Sequence, residues 1–388
     1  MTANRIALYV PSLNAAGAER VAVNLGRGLT KAGWEVDFVV LQAVGAFVSE
    51  VPSEARVVEL KTTRVLASLP ALVRYLRREK PSGIISFMDH ANIVALWARA
   101  LGSRSTRVVA TVHSTMSSAN QKSNNRRSQL LPLFVRAFYP WADAIVAVSQ
   151  GVADDLVRTT SLPASQLQVI YNPVITPELL AARSAPPPHP WLEPGQPPVV
   201  MGAGRLTTAK DFSNLLRAFD HVRRRRPARL LILGTGPERP ALETLVAELG
   251  LGEHVALPGF QPAVYAFMAR ASVFALSSEW EGLPTVLIEA LALSRAVVAT
   301  DCPSGPREIL DNGRLGRLVP VHDPVALGEA ILASLDNPGP PVPIDALRPY
   351  SEEAAVESYL RAAGLHGSLN LTAATARRPL RAVEGQRS

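Results

Sequence analysis

The chain has 388 residues, of which 47% are hydrophobic and 19% charged; this is a globular composition, long enough for two cores, and it excludes a disordered chain. No apolar run approaches the ~18 residues of a spanning helix. The start, Met1-Thr2-Ala3-Asn4-Arg5, lacks the pattern of a secretory leader, so the expected location is cytoplasmic, at most peripheral to the inner face of the cell membrane. The formal charge of +7 falls wholly in residues 1–180, with 19 Lys and Arg against 12 Asp and Glu; residues 181–388 hold 21 of each.

Ile6-Ala7-Leu8-Tyr9-Val10 is an apolar run suited to a buried parallel strand. A small-residue loop, residues 11–20, leads into an amphipathic helix over residues 21–32, with Gly33 as its terminating glycine. A strand over 34–40 follows. The rhythm continues with strands at 83–87, 107–112, 144–148 and 168–170 and with helices such as 71–79 and 93–101. Alternation of this kind predicts a parallel sheet with helices on both faces, and ligands bind beyond the carboxyl ends of such strands.

The proline-rich stretch 184–198 reads as a semi-rigid linker between a first domain, residues 1–183, and a second, residues 199–349. In the second, strands are expected at 199–203, 229–233, 255–258, 273–276, 296–299 and 316–319, with helices at 212–223, 239–249 and 285–293. After a break at 338–343, a helix over about 351–363, within the segment 350–364, could return to the first domain. The polar, basic tail 365–388 is expected to be disordered.

Two segments carry chemistry. In Glu281-Gly282-Leu283-Pro284-Thr285-Val286-Leu287-Ile288-Glu289, Pro284 suits the first turn of a helix. Glu281 then precedes the helix, Glu289 lies more than a turn inside it, and the first-turn N–H groups near Thr285 form an anion site. Two solvated carboxylates would be the plain alternative, but Glu289 stands in an almost wholly apolar helix and a buried carboxylate needs a partner. In Gly202-Ala203-Gly204-Arg205-Leu206-Thr207-Thr208-Ala209-Lys210, glycines admit close backbone approach and Arg205 and Lys210 bring two cations to a strand end. A surface loop with an ordinary salt bridge explains that segment equally well when it is taken alone.

Together these segments resemble glycosyltransferase family 4, retaining enzymes of the GT-B fold, as do Pro258-Gly259-Phe260, Leu276-Ser277-Ser278 and Ala299-Thr300-Asp301; the likeness is densest over residues 199–323. It implies an α/β chain of two Rossmann-like domains with parallel sheets facing across a cleft. It also implies that Arg205 and Lys210 neutralise a donor diphosphate, that Glu289 holds the ribose, and that Glu281 holds the transferred sugar. Gly236 and Glu238, in Gly234-Thr235-Gly236-Pro237-Glu238, would stand near the nucleotide, as would Gly282, Leu283, Pro284 and Thr285. Gly17, in Ala16-Gly17-Ala18-Glu19-Arg20, would face the diphosphate and acceptor, with Ala16 where the family often has a first glycine. His113 matches a histidine facing the donor sugar, although a core-capping histidine fits the residues equally well. Ser294-Arg295-Ala296 stands where the family usually has Gly-x-Pro.

The resemblance implies retention of configuration, with transfer from a nucleoside diphosphate sugar to a hydroxyl of a glycan or lipid-linked acceptor. Residues 303–308 are similar to bacterial polysaccharide- and glycolipid-building members, which favours a UDP-linked donor, with GDP-mannose left open. No Asp-x-Asp is present, so no metal or other cofactor is expected and the Arg–Lys pair would take the metal's place. The single cysteine, Cys302, excludes an internal disulfide and a cysteine-based zinc site. The basic first half favours an anionic partner there, a phosphate-bearing acceptor or an anionic membrane surface, and residues 121–129 before the apolar run 130–135 have the make-up of an interfacial segment. Nucleic acid is not expected. The competing functions are another GT-B enzyme, such as a nucleotide-sugar epimerase or a phosphorylase, or a non-catalytic scaffold of the same fold.

Overall fold

A buried apolar run must pair its backbone polar groups within the protein, and the short runs read as strands do so in two sheets. The computed structural model describes residues 4–14, 16–117 and 126–365, and of residues 126–129 the backbone alone. The first sheet contains β1 (Arg5–Tyr9), β2 (Glu35–Val40), β3 (Arg56–Glu59), β4 (Gly83–Phe87), β5 (Arg107–Val112), β6 (Ala144–Ala147) and β7 (Leu167–Val169), ordered β3-β2-β1-β4-β5-β6-β7 and parallel throughout. The second contains β8 (Val199–Ala203), β9 (Arg229–Leu233), β10 (Val255–Gly259), β11 (Val273–Leu276), β12 (Ala296–Thr300) and β13 (Arg317–Val319), ordered β10-β9-β8-β11-β12-β13 and also parallel.

Both sheets reverse direction of growth beside their first strand, between β1 and β4 and between β8 and β11. Each reversal opens a crevice at the carboxyl ends of those strands. Strand β3 goes beyond the six strands read from the sequence. It is a four-residue edge strand, half-exposed along its length, so it has no long apolar run to mark it.

The helices of the first half are α1 (Gly17–Lys31), α2 (Leu69–Glu79), α3 (Asp89–Gly102), α4 (Arg126–Phe138), α5 (Gln150–Thr160) and α6 (Pro177–Ala181). Those of the second are α7 (Phe212–Arg223), α8 (Arg239–Glu248), α9 (Val264–Arg270), α10 (Thr285–Ala292), α11 (Pro306–Ile309) and α12 (Pro324–Asp336). Helix α1 begins four residues before the sequence pattern places it, because its first turn is Gly17-Ala18-Glu19-Arg20, whose periodicity is masked by small residues. Gly33 follows the helix at φ +85°, the left-handed position a glycine tolerates.

The last helix, α13 (Glu352–Ala362), packs on α1 in the first half of the chain. It buries Ala355, Val356, Tyr359 and Leu360 there, and Lys31 Nζ sits 2.7 Å from the buried Glu352 carboxylate. The amides of Val174 and Ile175 both donate to the Tyr350 carbonyl, at 2.8 and 3.0 Å. The chain is therefore tied back across the linker. The tail 366–388 and the side chains of the basic stretch 121–129 lie outside the described residues.

Candidate active site

Most of the residues singled out above follow the carboxyl end of a strand or begin the helix after it, and Glu289 lies just over a turn inside α10. After β8 the chain runs through Gly204 at φ +155° and packs onto the turn after β9. Gly204 N donates to Leu233 O (2.9 Å), Leu206 N to Thr235 O (2.9 Å) and Glu238 N to Leu206 O (3.1 Å). A Cβ on Gly236 would lie 2.2 Å from the Leu206 carbonyl oxygen, so that turn admits only glycine. Gly236 and the Glu238 amide thus hold the backbone at Leu206, the residue after Arg205.

Lys210 and Glu281 meet at the seam. Lys210 Nζ donates to Glu281 Oε1 at 2.5 Å, and Ser278 Oγ donates to the same oxygen at 2.6 Å. The loops beneath them are cross-linked: Ser277 Oγ donates to Lys210 O (2.8 Å) and Glu279 N to Ala209 O (2.9 Å). Helix α10 starts one residue later than Pro284: the proline is the N-cap residue, at φ −71° and ψ 92°, not part of the first turn. The helix thus begins at Thr285, where the sequence places it, and only the expected place of Pro284 within the first turn is corrected. The reason is local packing, since the Pro284 ring stacks against Gly305, where a Cβ would lie 2.3 Å from Pro284 Cδ. No side chain caps this helix. Leu283, at 7% exposure, anchors the loop in the core.

Glu289 is 6% exposed. Burial pushes its carboxyl up to about 7, against the opposing pull of the Arg20 charge, a hydrogen bond from Tyr265 and the Lys210 charge. Burial and Glu289 in turn push the Tyr265 phenol well up. Arg20 comes from the first domain, where it pairs with Glu50 and lies 3.9 Å over the Phe47 ring. The partner Glu289 requires is therefore supplied from across the cleft as well as from its own domain.

Arg205 is exposed and acts electrostatically on Glu19, a 5%-exposed carboxylate whose pKa burial raises and whose side chain bonds Ser12. Gly17, two residues earlier, is exposed, with open space where a Cβ would stand.

His113 is held as a core cap and also borders the site. Its Nε2 is 2.8 Å from Thr111 Oγ1, its ring stacks on Phe87, and burial lowers its pKa to about 4, so it is neutral at physiological pH. Its carbonyl oxygen would lie 2.1 Å from a Cβ on Gly282, so the first domain presses directly on the Glu281 loop. Cys302 is buried, with its thiol pushed up to about 12.

The structure brings Lys210, Glu281 and Glu289 together, sets Arg205 opposite the Gly17 helix, and gives Gly236 and Glu238 a supporting place. Glu19, Arg20 and Tyr265 were not identified from sequence. The first two stand in the quoted small-residue loop, but Tyr265 gives no signal, being one of two aromatics in a short helix of mostly apolar residues. Among the described residues, no three His, Cys, Asp or Glu side chains gather as metal ligands and no helix is long and apolar enough to cross a membrane.

Two doubly wound domains with charged loops meeting at their strand ends define the GT-B class of glycosyltransferases. The chain belongs to glycosyltransferase family 4: residues 15–177 match the family model "Glycosyltransferase Family 4" and residues 188–353 match "Glycosyl transferases group 1". It is 30% identical over 346 residues to a Campylobacter jejuni 4-alpha-N-acetylgalactosaminyltransferase that acts on N-acetylgalactosamine-N,N'-diacetylbacillosaminyl-diphospho-undecaprenol, covering 86% of this chain and 90% of that one. It is 28% identical to the lipopolysaccharide core biosynthesis glycosyltransferase LpsE of Rhizobium meliloti, over 81% and 84% of the two chains. Among solved structures, Anabaena HepE in complex with UDP and glucose superposes with a TM-score of 0.76 at 18% identity, covering 92% of this chain and 99% of that one.

Proposed function

We propose that the chain transfers a sugar from a UDP-linked donor, with retention of configuration, to a hydroxyl of a lipid-linked glycan acceptor. The observation that carries this reading is the Lys210–Glu281 ion pair beside the buried Glu289. On donor entry, Lys210 turns to the diphosphate, Glu281 to hydroxyls of the sugar, and Glu289 to the ribose. Arg205, Lys210 and the start of α10 stabilise the charge left on the diphosphate as the sugar–phosphate bond breaks, with no metal assigned to that task. The acceptor hydroxyl attacks on the face the diphosphate leaves, and the leaving phosphate oxygen takes its proton. Closure around Gly282 and His113 keeps water from the donor. The undecaprenol-linked substrate named for the C. jejuni relative and the UDP in the Anabaena complex support the acceptor and the donor base.

The same reading places the enzyme on the inner face of the membrane. Leu130, Leu133 and Phe134 on α4 are exposed, and Arg74, Arg77 and Arg78 border an apolar groove of Leu69, Val73 and Leu101 between α2 and α3. Cations beside exposed apolar side chains suit an anionic bilayer surface.

The test is a product assay with UDP-N-acetylgalactosamine, UDP-N-acetylglucosamine, UDP-glucose and GDP-mannose, run with and without an undecaprenyl diphosphate-linked acceptor. Acceptor-dependent glycan growth that Glu281→Gln abolishes is the expected result. Near-normal turnover by Glu281→Gln refutes the site, and altered donor without acceptor indicates an epimerase. Absence of flotation with anionic vesicles at low salt refutes the membrane placement.

A further inference from the structure

The first domain grips the Glu281 loop through the Gly282 carbonyl. Ser149, the residue that caps α5, is fully buried, and Ser304, after β12 in the second domain, is 4% exposed. Both hydroxyls donate to the Gly282 carbonyl oxygen, Ser149 at 2.9 Å and Ser304 at 2.8 Å, and their oxygens lie 3.0 Å apart. Gly151, two residues after Ser149, is held against Ser304 so closely that a Cβ would lie 2.7 Å from Ser304 Oγ. One residue along α5, Gln150 N donates to both oxygens of Glu308, at 3.0 and 3.1 Å, and Tyr171 Oη donates to Glu308 Oε1 at 2.6 Å. On the opposite side, Gly282 faces the His113 carbonyl.

The peptide between Gly282 and Leu283 is therefore clamped from both sides, and most of the clamp comes from the other domain. A carbonyl oxygen has two lone pairs, and here both are taken by buried hydroxyls. Glu281 is joined to this peptide plane through Gly282 alone, so its carboxylate direction follows the clamp. Its side-chain partners, Lys210 and Ser278, both belong to the second domain and do not register where the first domain stands.

We propose that Ser149 and Ser304 are positioning residues for Glu281: Ser304 fixes the Gly282 carbonyl from within the second domain, and Ser149 makes the orientation of that carboxylate conditional on contact between the two domains. The proposal rests on the sugar-holding role given to Glu281 above. Neither serine is assigned a contact with the donor; their effect falls on the sugar half of it, because Glu281 is the sugar-holding group, whereas the nucleotide is assigned to Glu289, Arg205 and Lys210.

Calorimetric titration with UDP and with UDP-N-acetylgalactosamine, UDP-glucose replacing the latter if only that sugar nucleotide binds, separates the two halves. For Ser304→Ala, which leaves the α5 cap intact, and for Ser149→Ala, affinity for the sugar nucleotide should fall about fivefold, the size of one neutral hydrogen bond. The double variant should lose more than tenfold, while affinity for UDP stays within twofold of wild type. In the Glu281→Gln background the serine substitutions should change sugar-nucleotide affinity less than twofold, since the group they orient has already lost its charge. Retained UDP binding reports that each variant is folded.

Undiminished sugar-nucleotide affinity in the UDP-binding double variant overturns the proposal. So do equal losses for UDP and its sugar, or losses that add fully to that of Glu281→Gln, because both mark a general structural role. If Glu281→Gln itself leaves the sugar increment intact, or wild type binds neither sugar nucleotide, the role of Glu281 fails and the positioning claim with it.

Discussion

Replacing Glu289 with Gln should stabilise the folded protein while weakening its hold on the nucleotide. The Glu289 carboxyl is raised from 4.5 to about 7, with burial as the largest cause. The folded state therefore binds this proton more tightly than the unfolded state does, and stability falls as pH rises from 4.5 through 7. At ~1.36 kcal/mol for each tenfold change in proton affinity, the ionised side chain costs about 3 kcal/mol at pH 8 and less than about 1 kcal/mol at pH 5. Gln keeps the shape, still accepts from Tyr265, and removes the charge. Relative to wild type without nucleotide, the melting transition that reports the second domain should rise by roughly 6–12 °C at pH 8, at ~2–4 °C per kcal/mol for a domain of this size, and by much less at pH 5. UDP affinity should fall roughly tenfold at pH 8, because a charged acceptor is exchanged for a neutral one. Scanning calorimetry at the two pH values, with UDP titration beside it, is the assay. No stabilisation at pH 8, or the same stabilisation at both pH values, would refute the assignment of a desolvated carboxylate.

Gly282→Ala places a Cβ 2.1 Å from the His113 carbonyl oxygen, backbone against backbone. It should cost ~1–3 kcal/mol through overpacking and abolish acceptor-dependent turnover; wild-type activity in a well-folded variant would contradict the close approach. Ending the chain after residue 350 removes α13 and uncovers the surface of α1 that Val356, Tyr359 and Leu360 cover. At roughly 1.5–3 kcal/mol for each large buried side chain, the first domain should melt well before the second in calorimetry, and unchanged melting would show that the helix docks weakly. His113, lowered to about 4, should keep a neutral imidazole in NMR titrations down to pH 5. Its contribution to stability is complete above about 6.5 and is lost as pH falls toward 4. A resonance titrating near 6.5 would show an open histidine.

The sequence by itself determined the class and picked out much of the candidate site. Strands at 83–87, 107–112, 199–203, 229–233 and 273–276 coincide with those observed, because strands buried on both faces read as uninterrupted apolar runs. Glu289 was legible as a carboxylate in need of a partner because its neighbours in sequence are its neighbours in the helix. The start of α10 at Thr285 was legible as well, but the N-cap position of Pro284, just outside the first turn, depends on Gly305, distant in sequence. Tertiary structure alone decided which groups face one another across the cleft: Arg20 toward Glu289, Arg205 toward Glu19, Ser149 onto Gly282, His113 against the same glycine. These are interactions between separate domains, more than a hundred residues apart along the chain. Periodicity and spacing report only what is near in sequence, whereas electrostatics and steric exclusion act between whatever the fold brings within a few ångströms.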